Sequence, residues 1–317
     1  MPCPGRSVSV VSGDVSYTAR LAAGGSQVET LFFDPTVLDR YRLDPRYFVR
    51  LHAYSGMVSV TDEFGRDPQF PEHDKILIQT FGFASRPNGL RAVAVYLCYL
   101  ADLTQEHQRH WESLQLHEDC VLFAAYFKNS VLGEFSRDTS VYEAVLLLLE
   151  VINKQAEAMG RKRLFRETFR EWPSDYHPIL APTLKSYLDF VNVLDKMLSQ
   201  NMSVGFVGDD VPRDDDQGRP KKSIRLLQDW LDMVWRPTTV DATPNAVLQP
   251  FFDISKERQR PAHRLEPNAY DLALFDTQKE LMRSAYQSLM GLATILSRHP
   301  RTEGIPIPEI LSRVVMY

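Results

Sequence analysis

Val141-Tyr142-Glu143-Ala144-Val145-Leu146-Leu147-Leu148-Leu149-Glu150-Val151-Ile152-Asn153-Lys154-Gln155-Ala156 is the stretch on which the reading of the fold turns. Val141, Val145, Leu148, Ile152 and Ala156 fall at spacings of four, three, four and four. That is the period of one helix face, and such a face has to be buried against other elements. The apolar run from Ala144 to Leu149, with Val151-Ile152 just beyond, is too short to span a bilayer.

Three more stripes with this period follow: Leu184, Leu188, Val191, Leu194, Leu198; then Ile224, Leu227, Leu231, Val234; then Leu274, Leu281, Ala285, Leu289, Leu292, Leu296. Ahead of residue 101 the pattern is that of strands. Ser7-Val8-Ser9-Val10 alternates, and Val15 to Ala19 continues a β-type composition. Val28 to Phe33, Phe48 to Val60 around Gly56, Ile76 to Phe83 and Arg91 to Leu97 read as further strands. The last two are joined by the turn residues Pro87-Asn88-Gly89. The expected fold class is therefore α+β. A small antiparallel β-rich domain over residues 1–100 precedes a larger α-helical bundle over 101–317. Phe81 and Phe83 have no basic residues interleaved, so they read as core residues rather than a base-stacking surface.

Two segments read as connections. Residues 205–222 hold five aspartates, three glycines and two prolines, which predicts a flexible acidic loop. Asp209, Asp210, Asp214, Asp215 and Asp216 offer hard oxygens, but their spacing fits no EF-hand. Thr238 to Gln249 reads as a polar linker. Length, a net charge of −5 and widely spaced Cys3, Cys98 and Cys120 fit a soluble cytoplasmic protein in a reducing compartment, with no membrane partner. Nucleotide-binding glycine loops, HExxH and GxSxG are absent from the sequence. Glu106, His107, His110, His117, Glu118, Asp119 and Cys120 could ligate zinc in principle. Their spacing matches no zinc motif, and Trp111 and Leu114 favour an ordinary packed helix, so no metal or other cofactor is expected.

Lys256-Glu257-Arg258-Gln259-Arg260-Pro261-Ala262-His263-Arg264 places four basic side chains and a histidine in an acidic protein. Spacing alone says little. Four of the eight histidines have an arginine five to seven residues upstream: Arg46/His52, Arg66/His73, Arg170/His177 and Arg258/His263. Context separates them. Arg46 and His52 run along an extended segment, about 20 Å apart at ~3.3 Å per residue. Prolines interrupt the second and third pairs. Only Arg258/His263 lies between helical stripes with cations on both sides of the arginine. Pro261 would interrupt a continuous helix but suits a first helical position, which predicts that His263 lies in a first turn.

The segment Arg258-Gln259-Arg260-Pro261-Ala262-His263 resembles the R-x4-6-H motif of the HEPN superfamily, with polar Gln259 after the arginine. The likeness covers about residues 140–317. It implies an all-α bundle of four or five helices, a homodimer that brings two motifs into one cleft, and metal-independent RNA cleavage. Many members are toxins or effectors of bacterial antiviral defence. Arg258 and His263 become the expected catalytic residues, with Lys256, Gln259, Arg260 and Arg264 on the substrate. A histidine near neutral pKa can move the 2′-OH or leaving-group proton, and a guanidinium can hold charge on the phosphorane oxygens. The β-rich part would then sense or dock a protein partner. The competing expectation is a non-catalytic helical dimerisation and interaction subunit that recruits a partner.

Overall fold

The computed structural model describes residues 16–134, 138–237, 243–260 and 267–316. Its fold class is α+β: an antiparallel sheet in the N-terminal part, followed by helices. Contacts divide the chain into two units. One comprises the described residues up to Arg50, Ser55–Pro87 and Arg91–Phe123. The other comprises Leu51–Tyr54, Asn88–Leu90 and the described residues from Ala124 onward. The first unit therefore runs further along the chain than the composition change at residue 101.

In chain order this part contains α1 (Tyr17–Ala22), β1 (Thr30–Phe33), α2 (Asp39–Arg42), β2 (Tyr47–Leu51), β3 (Ser55–Val60), α3 (Asp62–Arg66), β4 (Leu77–Ser85), β5 (Arg91–Tyr96), α4 (Leu97–Ala101), α5 (Gln105–Glu112), β6 (Gln115–Leu116) and β7 (Val121–Leu122). The strand order is β2-β3-β4-β5-β1-β6, with β7 also paired to β4. Residue Gly82 faces Ala94 across the central pair, and Phe32 faces Ala94 on the other side of β5. All six residues of β5 are buried, because both faces of the sheet are covered there. Phe33, Phe81 and Phe83 lie on one side; Ala84, Ala92 and Ala94 pack with Phe32, Leu116 and Leu122. Phe81 and Phe83 are fully buried, as their sequence context implies.

Two expectations for this region are corrected. The β-type stretch ending at Ala19 is helical from Tyr17, because the Ser16 hydroxyl accepts the Ala19 N–H and caps α1. Tyr17 then packs edge-on to Phe33 and donates to Gln115 Oε1 at 2.9 Å. Short strands β6 and β7 also lie beyond residue 101, in a part expected to be helical; ladder partners in β1 and β4 create them. Ser7–Val10 lies outside the described residues.

The second unit contains α6 (Ala124–Ser130), β8 (Thr139–Ser140), α7 (Val141–Ala158), α8 (Leu184–Met197), α9 (Ser223–Val234), α10 (Pro244–Gln259), α11 (Ala273–Leu296) and β9 (Val314–Val315), with β8 and β9 in parallel. Helix α7 starts in a capping box: the Ser140 hydroxyl accepts the Glu143 N–H, and the Glu143 carboxylate accepts the Ser140 N–H. It packs chiefly on α11, which also meets α10; α10 in turn packs on α8 and α9. The stripe residues Val145, Leu148, Ile152, Leu194, Leu227, Leu289 and Leu292 form one core. Val234, at the end of its stripe, is exposed.

The acidic segment 205–222 is an anchored loop, not a free one. Phe206, Val207 and Val211 are buried. Arg161 stacks over Trp230 at 4.7 Å, donates to Phe206 O at 2.9 Å and pairs with Asp210 at 2.5 Å. The expected polar linker 238–249 is also corrected: Thr243 caps α10 and Pro244 occupies its first turn, so the helix is running by Ala246. No helix among the described residues is long and apolar enough to cross a membrane.

Gly56 supplies a sharp packing test. A Cβ there would lie 2.4 Å from Phe81 Cζ and 2.6 Å from the Arg50 carbonyl oxygen, beside a register shift between β3 and β4. Gly56→Ala is expected to destabilise the protein by about 1–3 kcal/mol through overpacking. An unchanged midpoint in urea denaturation would show that β3 can move aside.

Candidate functional site

Arg258 lies in the last turn of α10, and its side chain keeps 36% of its surface in solvent. Its Nε sits 2.7 Å from Oδ2 of Asp195 on α8, whose side chain is only 1% exposed. The N–H is poorly aligned on the oxygen, so the contact is chiefly one of charge. The Asp195 carboxylate has two further partners. Ser255 Oγ donates to Oδ1 at 2.5 Å, and Gln200 Nε2 donates to Oδ2 at 2.8 Å. A buried carboxylate requires such company, because an unpaired charge in the interior costs several kcal/mol. Helix packing of α8 on α10 thus holds Arg258 in place through Asp195.

Around this pair, Lys256, Gln259 and Arg260 are exposed, and Arg260 Nη1 bonds Glu257 Oε1 at 3.0 Å. His263 and Arg264 lie outside the described residues, as does Pro261 with the expected helix start there. The structure accordingly brings Lys256, Arg258, Gln259 and Arg260 onto one helix end. Helix α11 itself begins only at Ala273.

Asp195 was legible only in part. It follows Val191 by four residues, on the flank of the apolar stripe of α8, and an acid at such a position needs a partner. Nothing in the local sequence says that the partner is Arg258, 63 residues on, which only the packing of α8 on α10 supplies.

The other arginine–histidine pairs have separate local roles. Arg46 forks onto Asp44, with Nη2 to Oδ2 at 2.5 Å. His52 packs against Trp172 with ring centroids 4.8 Å apart. Arg66 pairs loosely with Asp62 at 3.4 Å on the surface. His177 is buried with Nδ1 2.8 Å from Pro178 O.

A second polar group lies within the first unit. His107, in α5, is fully buried, and its Nδ1 is 2.9 Å from the Tyr41 hydroxyl, which accepts Trp111 Nε1–H at 3.1 Å. Burial, helped by the Arg40 charge, lowers the His107 pKa to about 4, so the ring is neutral at pH 7. His73, Asp74 and Glu106 gather beside it. Of the sequence cluster around α5, His110 instead places Nε2 2.9 Å from Val37 O, and Glu118 pairs with Arg86.

Comparison with protein-family models, curated proteins and solved structures returns no match. The functional reading therefore rests on residues and geometry alone.

The Asp195–Arg258 pair predicts a stability effect. Arg258→Ala leaves Asp195 buried without its cation and is expected to cost about 2–3 kcal/mol, less than a fully buried pair because Arg258 is part-solvated. Adding Asp195→Asn should recover most of that loss in urea denaturation. A cost for Arg258→Ala below about 0.5 kcal/mol, the range of surface pairs, would show the pair to be dispensable.

Proposed function

We propose that the helical unit is a HEPN-like, metal-independent endoribonuclease working in the cytoplasm as an effector of bacterial antiviral defence or of a toxin system. The observation that carries this reading is the placement of Arg258. It is held by a buried carboxylate at the end of α10, five residues before His263, with Lys256, Gln259 and Arg260 exposed beside it. A guanidinium has five N–H donors, and the Asp195 contact engages one edge of it. A fixed cation of this kind suits charge developing on a phosphorane, because no reorganisation is needed as the charge appears.

In this mechanism His263 takes the 2′-OH proton, and the same residue of a second copy protonates the 5′-oxygen that leaves. Arg258 stabilises the phosphorane oxygens. Lys256, Gln259, Arg260 and Arg264 hold the flanking RNA, so binding weakens steeply with salt. The homodimer is required because one motif carries one histidine. The β-rich unit then serves to recognise a trigger or a protein partner.

A second reading follows from the same ion pair. The Arg258 charge is already matched by Asp195, which accounts for the arginine with no chemistry at all. The protein would then be a non-catalytic helical subunit that dimerises and recruits a partner.

Cleavage of RNA in the presence of EDTA separates the two. Wild-type protein should cut single-stranded or transfer RNA, and His263→Ala should slow cutting by about a hundredfold or more, the usual worth of a general base. Arg258→Lys, which keeps a cation beside Asp195, should fold normally and still lose activity, because lysine lacks the planar fork. Intact RNA with the wild type would leave the non-catalytic reading, and equal cleavage by wild type and His263→Ala would show that His263 is not the general base.

A further inference from the structure

We propose that His73, Asp74, Glu106 and His107 form a binding site for a divalent transition-metal ion of the zinc class, which fastens the 72–74 turn to α5. One ligand atom from each of His73, Asp74 and Glu106 lies within 4.8 Å of the others. The Asp74 oxygen Oδ1 is central: it is 3.9 Å from His73 Nε2 and 4.0 Å from His107 Nε2. Ligands about 2.1 Å from a tetrahedral ion stand roughly 3.4 Å apart, so the two pairs that Asp74 Oδ1 makes need to close by about half an ångström, and the His73–Asp74–Glu106 group, spread within 4.8 Å, by up to about 1.4 Å. Most of the movement falls to the exposed side chains, with the Asp74 carboxylate turning toward His107. His73 and Glu106 are 60% and 59% exposed, whereas Asp74 and His107 are 19% and 0% exposed.

His107 is the independent indication. Its Nε2 is buried and has no hydrogen-bond partner, while it faces the Asp74 carboxylate. At 4.0 Å the two groups are too far apart for a hydrogen bond. Leaving such a nitrogen dry and unsatisfied is destabilising, because it loses its water without gaining a partner. A metal ion between Nε2 and Oδ1 satisfies both. The other ring nitrogen is already placed for this role: Nδ1–H can donate to the Tyr41 hydroxyl, which Trp111 fixes from behind. Metal-bound histidines are ordinarily oriented by such an outer partner.

The neighbouring charges are compatible with a cation. Arg40 binds Glu106 Oε1 at 2.6 Å, and a carboxylate can hold a guanidinium with one oxygen and a metal with the other. Lys75 is drawn to Glu72 at 2.5 Å. The turn is docked on α5 from its backbone too, since Thr104 Oγ1 donates to His73 O at 3.1 Å. Two imidazoles and two carboxylates suit zinc and its first-row neighbours better than calcium or magnesium, which favour all-oxygen shells. Four protein ligands close a tetrahedral shell, so the ion's role is to hold structure.

The test uses the full chain without an affinity tag, stripped with a chelator, dialysed and titrated with Co2+ under visible absorption, then with Zn2+ as competitor. The expected result is about one ion per chain, the strong visible bands of four-coordinate cobalt, and a thermal midpoint that rises with Zn2+ concentration. His73→Ala and Glu106→Gln alter exposed side chains and should keep the fold while weakening binding at least tenfold. His107→Ala should abolish the cobalt bands, whereas His299→Ala should leave them unchanged. A wild-type chain that takes up no stoichiometric ion at micromolar concentration overturns the proposal, as does His73→Ala protein that binds like wild type.

Discussion

The burial of α7 is the constraint on which the helical unit depends. Its side chains are enclosed on nearly every side, from Val141 and Tyr142 through Leu148, Leu149 and Ile152 to Ala156. A helix that is apolar around most of its circumference is stable only inside other elements. Helix α11 supplies the longest covering surface, and α10 and α8 complete the core behind it. The polar residues that α7 does bury need partners of their own. Asn153 meets the need by bonding both backbone groups of Phe165, accepting from its N–H at 2.9 Å and donating to its carbonyl at 2.7 Å.

Enclosing α7 also brings charged residues together. Packing α10 on α8 seals Asp195 away from water, and Arg258 is the cation that makes this tolerable. The two residues are coupled in consequence: what holds the arginine for any chemistry is also what keeps the helices together. The HEPN-like reading and the non-catalytic reading differ over whether the remaining guanidinium donors meet RNA, and not over the helical framework around them.

His107 in the first unit presents the reverse case. Asp195 is buried with three partners, whereas His107 is buried with one ring nitrogen satisfied and the other dry. The difference sets apart a polar group that completes a packed core from one with a nitrogen left unsatisfied. Both are centred on residues whose neighbours in space come from distant parts of the chain.

Much of the architecture was legible in the sequence because helix periodicity and strand composition are local. The stripes from Val141, Leu184, Ile224 and Leu274 mark α7, α8, α9 and α11, and the turn at Pro87-Asn88-Gly89 marks the β4–β5 hairpin. Local signals failed where long-range partners or caps decide the outcome. Ser16 turns a β-type stretch into α1, Thr243 and Pro244 turn a polar linker into α10, and ladder partners in β1 and β4 create β6 and β7. Of the candidate site, Arg258 with its flanking Lys256, Gln259 and Arg260 was visible as a pattern. By itself, then, the sequence determined helices α7, α8, α9 and α11, the β4–β5 hairpin and the α+β order, because propensity and hydrophobic period act over a few residues. Only the tertiary structure decided that Asp195 meets Arg258 and that Asp74 meets His107, because those encounters depend on which surfaces are buried together.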